Sequence, residues 1–229
     1  MARLPRLCPV GIPQHIIQRG NNRQPCFAGD EDFAAYASWL LKASKLYSVD
    51  VHAWVFMTNH VHLLATPYEA NAVSKMMQYV GRHYVRDFNY TYRRTGTLWE
   101  GRFKSCLVQE NEYLFYCYRY IELNPVRAMM VKHPADYRWS SYHANALGVE
   151  SKLCSPHPLY LNLGVDAVSR EANYRGLFDA HIDSRVVDDI RGSLQKGLVL
   201  GNDYFKDAIA ELTGRRVRQV KRGPKSKVV

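Results

Sequence analysis

Apolar and polar residues alternate with two different spacings in the first part of the chain, and these spacings predict the order of its elements. Short apolar runs predict strands over residues 13–18, 50–57, 60–66 and 102–108. Apolar residues three and four apart predict helices over residues 31–47, 70–92 and 110–123. Asp30 is expected to be the N-cap of the first helix. The order β-α-β-β-α-β-α predicts an α+β fold with a ferredoxin-like, RRM-like antiparallel sheet and helices on one face.

The pattern changes after about residue 148. Residues 150–164 contain Pro156, Pro158 and Gly164, and they are typical of a linker or an irregular segment. Residues 186–213 predict two helices separated by LVLGND. We therefore expect one domain over residues 1–148 and a small helical C-terminal extension with a basic tail over residues 149–229.

Composition narrows the class of protein. The chain has 229 residues, of which 47% are hydrophobic, and no apolar run approaches the length of a membrane span. Its five cysteines are scattered without a C-x-x-C pair, which argues against a disulfide framework and a zinc ribbon. The net charge is +10, and residues 214–227 carry seven Lys or Arg and no acid. We expect a soluble cytoplasmic protein with an affinity for phosphate polymers.

The segment NHVHLLATP, residues 59–67, contains two histidines separated by one apolar residue. In a strand, His60 and His62 project from the same face, where two imidazoles can hold one divalent cation. Packing alone also places histidines in strands, so the pair by itself is a weak indication of a metal site. Three other histidines could complete such a site, and no spacing distinguishes among them: His15, His52 and His83.

The segment YLFYCYRYIELNPVRA, residues 113–128, is unusually rich in tyrosine. On a helix, Tyr120 and Asn124 lie four residues apart and point the same way. Taken singly, Asn124 before Pro125 is also a common helix start, and the tyrosines are also suited to packing against a sheet. Packed across the sheet, this helix would add an amide ligand and a nucleophilic hydroxyl to the paired histidines.

Several segments together resemble the single-tyrosine HUH transposases, and most closely their REP-associated branch. The resemblance covers about the first 145 residues. The segments that carry it are HIIQRGNNR (15–23), AWVFMTNHVHLL (53–64), LWEGRFKS (98–105), YRYIELNPVRA (118–128) and WSSY (139–142).

The resemblance implies an HUH endonuclease fold and a metal-dependent enzyme that nicks and rejoins single-stranded DNA near REP-type hairpins. By the match, His60, His62 and Asn124 are the metal ligands and Tyr120 is the nucleophile that forms a 5′-phosphotyrosine. Only Tyr120 has the I-x-x-N-P continuation, so three other tyrosines rank below it: Tyr113, Tyr116 and Tyr118. The resemblance favours Mg²⁺ or Mn²⁺, whereas imidazole ligands alone would suit Mn²⁺ or Zn²⁺.

The expected partner is single-stranded or hairpin DNA, and no membrane partner is expected. Basic side chains bind phosphates and aromatic ones stack on unpaired bases. The residues expected to bind DNA are Arg19, Asn21, Asn22, Arg23, Arg82, Arg86, Arg93, Arg94, Trp99, Arg102, Lys104, Arg215, Arg216, Arg218, Lys221 and Arg222. This partner extends the expected location to the nucleoid, and the choice between monomer and homodimer stays open.

Two other functions are compatible with parts of the sequence. A non-catalytic regulator that binds hairpin DNA or RNA could use the same fold, although RRM-type readers place aromatic residues on the sheet face. Here that face carries His60 and His62 instead. A small-molecule hydrolase with an H-x-H metal site is disfavoured by the positive charge and by the tyrosine-rich helix.

Overall fold

The computed structural model describes residues 6–218, and these residues form a single sheet flanked by helices. The strands are β1 (Gln14–Arg19), β2 (Val49–Met57), β3 (His60–Pro67), β4 (Lys104–Val108) and β5 (Val199–Leu200). The longer helices are α1 (Asp30–Leu46), α2 (Ala72–Thr91), α3 (Glu110–Glu122), α7 (Ala167–Gly176), α8 (Ser184–Lys196) and α9 (Asp203–Thr213). The short helices are α4 (Asn124–Arg127), α5 (Tyr142–Leu147) and α6 (Pro158–Leu161).

The sheet has the order β2-β3-β1-β4-β5, and its first four strands are antiparallel. This is the ferredoxin-like arrangement that the sequence predicts, so the expected fold class is confirmed. The strand with the paired histidines, β3, lies between β2 and β1, which places the pair inside the sheet. β5 pairs with β4 in parallel and is an addition to this plan.

Helices cover both faces of the sheet, which corrects the expectation that they lie on one face. Val61 and Leu63 belong to a hydrophobic cluster with α1 and α2, whereas Leu64 packs on the opposite face with residues of α3 and α8. The physical reason is that β2 and β3 are buried along nearly their whole length. A strand that is apolar on both sides requires a cover on both sides.

The start of α1 differs from the prediction in its cap. The helix begins at Asp30, and its N-cap is Gly29. The backbone N–H groups of Ala28 and Gly29 donate to the Asp32 carboxylate, at 2.7 and 3.1 Å. Asp30 instead accepts from the Trp139 indole at 2.9 Å, so it ties the helix to a distant loop rather than capping it.

The residues after 148 pack closely against the rest of the fold. Ile190 and Leu194 of α8 are buried in the hydrophobic cluster that also contains α3. The segment LVLGND, predicted as a simple helix connection, contains β5. The boundary at residue 148 stays a prediction. Within residues 6–218 no helix is both long and apolar enough to cross a membrane.

Candidate active site

An open cleft of about 600 Å³ lies on the α3 side of the sheet and contains both paired histidines; we call it the histidine cleft. The predicted site residues that line it are Arg19, Arg23, His60, His62, Arg102, Lys104, Tyr120 and Asn124. Its other lining residues are Ile17, Glu100, Gly101, Arg191, Leu194 and Gln195. The residues expected to perform the chemistry are therefore together in one cleft, with predicted DNA-binding residues around them.

His60 is oriented by a chain of side-chain hydrogen bonds. The Asn59 amide nitrogen donates to the Arg23 carbonyl at 3.0 Å, which turns the Asn59 amide oxygen toward His60. His60 Nδ1 lies 2.6 Å from that oxygen and therefore donates to it, which makes Nε2 the unprotonated nitrogen of the ring. Burial, assisted by the nearby Arg19 charge, lowers the pKa of His60 to about 4, so the ring is neutral at pH 7.

His62 is almost fully buried and contacts a third histidine. Its Nδ1 lies 2.8 Å from Nε2 of His15, which is on the neighbouring strand β1. Burial, followed by the charges of His15 and other neighbours, holds the pKa of His62 well below its ordinary value. The pKa of His15 is lowered to about 3, chiefly by burial and secondarily by Arg127. All three rings are thus neutral at pH 7, the form in which imidazole can bind a metal.

Tyr120 faces these histidines from α3. Its ring centroid lies 5.8 Å from that of His62 and 5.5 Å from that of His15, both in edge-on geometry. The Arg127 guanidinium lies over the Tyr120 ring at 4.0 Å and also donates to the Tyr120 carbonyl. Burial lowers the pKa of Arg127 to about 10, so Arg127 stays a cation at pH 7 beside the ring.

The three other tyrosines of α3 lie away from the histidine cleft. Tyr116 is 37% exposed, and Tyr118 is fully buried against Tyr160 and Tyr174. Tyr113 packs beside Tyr116. Of the four tyrosines of α3, Tyr120 is the one that lines the histidine cleft. Its ranking as the nucleophile, which rests on the I-x-x-N-P continuation, stays a prediction.

Asn124 lies one turn after Tyr120, at the start of α4. Its side chain hydrogen-bonds to the His60 ring, and its amide nitrogen lies 3.3 Å from the Tyr120 carbonyl. The N-cap of α4 is Leu123, so the alternative role of Asn124 as a helix cap is not realised. The amide thus bridges the strand with the histidines and the helix with the tyrosine.

The donor atoms of the cleft fit a divalent cation. His60 has an unprotonated Nε2, His62 has one nitrogen away from His15, and Asn124 adds an amide group beside His60. In the part of the chain that the structure describes, no group of three or more His, Cys, Asp or Glu could hold a metal. Two imidazoles and one amide leave most of a cation's charge uncancelled, which keeps it a strong Lewis acid.

The charge around the histidine cleft is strongly positive. Arg19, Arg23, Arg102 and Lys104 line it, with Glu100 as the single lining acid. Gly20 allows the tight turn between Arg19 and Arg23, because a Cβ at this position would meet the Gln24 carbonyl oxygen at 2.2 Å. The side chains are thereby arranged to attract a polyanion.

Sequence reasoning missed the residues that reach the cleft from distant segments. Arg191 and Gln195 come from α8, far along the chain. His15 was considered as a third ligand, but nothing in its spacing placed it next to His62. Only the register of β1 against β3 brings His15 to that position.

The remaining predicted DNA-binding residues are distributed elsewhere. The arginines of α2 and of the loop after it belong to the helix layer on the other face of the sheet: Arg82, Arg86, Arg93 and Arg94. Asn21 and Asn22 form a short 3₁₀ turn with Arg23. Trp99 is only 6% exposed and packs against Tyr36 and Tyr84, so little of its side chain is accessible to DNA.

The predicted basic tail is described only in part. Arg218 forms ion pairs with Asp207 and, at 3.3 Å, with Asp203, and Arg216 donates to the Arg218 carbonyl. Arg215 is the third basic residue of the tail that the structure describes. Lys221 and Arg222 lie outside the described residues. The engagement of Arg218 by two carboxylates reduces the charge that this part of the tail offers to DNA.

A comparison with known protein families assigns the chain to one of them. Residues 10–124, just over half of the chain, match the model of the family described as Transposase IS200 like. No curated protein sequence matches the chain.

Solved structures add a similarity of fold. A REP-associated tyrosine transposase bound to a REP hairpin is similar to this chain with a TM-score of 0.56 and 18% identity, covering 69% of this chain and 93% of that chain. A putative transposase from Deinococcus radiodurans R1 has a TM-score of 0.37 and 18% identity, covering 49% of this chain and 89% of that chain. The first similarity concerns the fold alone, and the second is too weak to support a conclusion.

Proposed function

This chain belongs to the family of IS200-like transposases, and we propose that it cleaves and rejoins single-stranded DNA through a covalent bond to Tyr120. The observation that carries the proposal is the meeting of four residues in the histidine cleft. His60 and His62 arrive on one strand, and Tyr120 and Asn124 arrive on a helix and the turn after it. A family match combined with this convergence supports catalysis better than either does alone.

We propose His60, His62 and Asn124 as the residues that hold a divalent cation, Mg²⁺ or Mn²⁺. When bound, such a cation neutralises a non-bridging phosphate oxygen and makes the phosphorus easier to attack. The chain's own contribution is to present neutral imidazoles, since burial keeps both rings unprotonated at pH 7. The cationic rim made by Arg19 and its neighbours draws the DNA backbone toward the same place.

The proposed reaction is a transfer from one alcohol to another. The Tyr120 hydroxyl oxygen attacks phosphorus, forming a 5′-phosphotyrosine, and the bond from phosphorus to the 3′ oxygen of the preceding nucleotide breaks. The phenol loses its proton and the leaving 3′ oxygen gains one, so a free 3′-OH remains. Because the product is still a phosphodiester, the reverse attack by a 3′-OH rejoins a strand without ATP. Arg127 over the ring holds the phenol in place and favours the negative charge that develops on it.

The proposed substrate is a DNA hairpin with a single-stranded extension. The structural neighbour of similar fold is bound to a REP hairpin, and the rim of the histidine cleft carries several cations. We include α8 in the DNA-binding surface, because Arg191 and Gln195 form a wall of the cleft on the side of the C-terminal extension. The DNA strand that enters the cleft would then be contacted by residues of both β1 and α8.

The direct test is covalent adduct formation. The full chain is incubated with Mn²⁺ and a labelled hairpin that has a single-stranded extension, and the products are separated on a denaturing gel. We expect wild type to form a protein–DNA adduct and Tyr120→Phe to form none, because phenylalanine lacks the attacking oxygen. The matched control is Tyr116→Phe, which makes the same change on the same helix outside the cleft.

Three outcomes would contradict the proposal. An adduct with Tyr120→Phe but not with Tyr116→Phe would reassign the nucleophile. Tight DNA binding by wild type with no adduct in Mn²⁺ or Mg²⁺ would favour a regulator that binds hairpins without cutting them. Neither binding nor an adduct would leave a small-molecule hydrolase as the better account.

A further inference from the structure

We infer that His15 is a positioning residue for the cation site: its Nε2 holds the Nδ1–H of His62, so that Nε2 of His62 is presented as an unprotonated ligand. The inference rests on the proposed function only in taking His62 as a cation ligand. It gives a role to a histidine that lies outside the H-x-H motif and outside the set of residues that line the cleft.

The sheet register fixes the contact. His15 on β1 is opposite Leu64 on β3, and Ile17 is opposite His62, so His15 lies diagonally across from His62 on the same face. The two ring nitrogens are 2.8 Å apart, and the ring centroids are 5.0 Å apart. His15 has no exposed surface, so no water competes for this hydrogen bond.

The other nitrogen of His15 suggests that the residue is not there for packing. His15 Nδ1 is buried and finds no hydrogen-bond partner within residues 6–218. A buried polar atom without a partner costs stability. The positions beside it on the neighbouring strands are Leu64 and Cys106, so an apolar side chain would match these neighbours and bring no unpartnered nitrogen of its own. Such departures from good packing chemistry are expected where function requires them.

The hydrogen bond decides which nitrogen of His62 can bind a cation. Two neutral imidazoles share one proton in their contact, so one ring donates and the other accepts. If His62 donates from Nδ1, its Nε2 has the free lone pair and its ring is fixed in one orientation. If His15 donates instead, His62 Nε2 carries a proton and cannot be a ligand. Residues that hydrogen-bond to a metal-binding histidine contribute substantially to metal affinity.

Another buried histidine of the sheet, His52, provides a matched comparison. His52 on β2 is 1% exposed, and both of its nitrogens have partners: the Ser155 carbonyl and the Thr66 hydroxyl, each at 2.8 Å. It therefore has the hydrogen-bonding pattern of a structural residue. His15 thus has one ring nitrogen without a partner, whereas His52 has none. The same substitution is therefore expected to weaken cation binding at position 15 and to lower stability at position 52.

The test measures Mn²⁺ affinity and stability of the purified, metal-free full chain. Mn²⁺ binding is followed by titration calorimetry, and the unfolding midpoint is followed by circular dichroism. For His15→Phe we expect Mn²⁺ binding about 10- to 100-fold weaker than wild type. Its unfolding midpoint should fall less than that of His52→Phe, because the change removes the unpartnered His15 Nδ1 while it leaves His62 Nδ1 without a partner. For His52→Phe we expect unchanged Mn²⁺ affinity and a lower midpoint. His15→Gln, whose amide oxygen can accept from His62, should recover part of the affinity.

Several results would overturn the inference. Wild type that binds no Mn²⁺, or His15→Phe that binds it as tightly as wild type, would do so. A loss of stability in His15→Phe as large as that in His52→Phe would make His15 a structural residue. A wild-type protein whose Mn²⁺ affinity depends on His15 but that forms no DNA adduct would contradict the proposed function and leave the inference standing.

Discussion

At the scale of single residues, the two cleft histidines are neutral for the same reason but are oriented by different partners. Burial lowers the pKa of both rings, while the Asn59 amide orients His60 and the His15 imidazole contacts His62. The pair was predictable from sequence, because residues two apart in a strand share a face whatever surrounds them. The partner His15 was not predictable, because its contact depends on the register between strands.

Removal of one histidine should separate catalysis from binding. We expect His60→Ala to lose adduct formation and to keep its affinity for hairpin DNA within about threefold, because most phosphate contacts are expected from the arginine and lysine side chains around the cleft. Adducts are measured on denaturing gels and affinity by fluorescence anisotropy. His83→Ala, which removes a histidine that stacks on Trp39 far from the cleft, is the control. Wild-type adduct yield in His60→Ala would show that His60 is not needed for the reaction.

At the scale of elements, α3 connects the chemistry to the C-terminal extension. Tyr120 faces the histidine cleft, while Glu122 on the same helix is fully buried and accepts hydrogen bonds from Ser141, Asn145 and Tyr174, at 2.6 to 2.8 Å. Asn145 is in α5 and Tyr174 is in α7. One carboxyl group therefore fixes the helix that carries the proposed nucleophile to two later helices.

The buried carboxyl predicts a pH dependence of stability. Burial raises the pKa of Glu122 from 4.5 to about 7, against the opposing effect of its three hydrogen bonds. The folded state therefore binds more protons than the unfolded state between these values, and stability falls as pH rises through about 7. Since one pKa unit is worth about 1.4 kcal/mol, the loss is about 3 kcal/mol in order of magnitude.

The variant that tests this effect is Glu122→Gln, whose amide oxygen can accept the same bonds from Ser141 and Asn145. We expect its free energy of unfolding, measured by urea titration from pH 5 to pH 8, to change less with pH than that of wild type. The variant should be the more stable protein at pH 8. Parallel pH profiles for the two proteins would show that Glu122 does not titrate in this range.

Elements of the ferredoxin-like core were predictable, and the parts that depend on long-range packing were not. The spacing of apolar residues gave β1 to β4 and α1 to α3 with small errors at their ends. β5 was missed because a strand of two residues has no period of its own. Trp99 was expected to contact DNA because it lies in a loop, but it is buried in the hydrophobic cluster under α1 and α2.

At the scale of the whole molecule, the positive charge is divided between two sides of the sheet. The net charge is +10 over the full sequence. One group of cations surrounds the histidine cleft, and the α2 arginines lie with the helix layer on the opposite face. A DNA strand bound in the histidine cleft would contact the cations of the cleft and not the α2 arginines. Substitutions in these two groups of cations should therefore weaken DNA binding to different degrees.

The contribution of the C-terminal extension can be measured on Arg191. We expect Arg191→Ala to bind a hairpin with a single-stranded extension several-fold more weakly and to lower the slope of log affinity against log salt by about 0.7, the value for one phosphate contact on a single strand. Affinity is measured by fluorescence anisotropy at several salt concentrations. Arg185→Ala removes an exposed arginine of the same helix that does not line the cleft, and it is the control. Equal slopes for the two variants would exclude α8 from the DNA path.

Peptide mapping of the adduct identifies the residue bonded to DNA, which we propose is Tyr120. Trypsin cleaves after Arg119 and Arg127, so residues 120–127 form a peptide with Tyr120 as its single tyrosine. The competing tyrosines of α3 all lie in the preceding peptide, residues 105–119: Tyr113, Tyr116 and Tyr118. The adduct is trimmed with nuclease, digested with trypsin and analysed by mass spectrometry. We expect a nucleotide phosphate on the peptide 120–127. The same mass on the peptide 105–119, or on neither peptide, would exclude Tyr120 as the nucleophile.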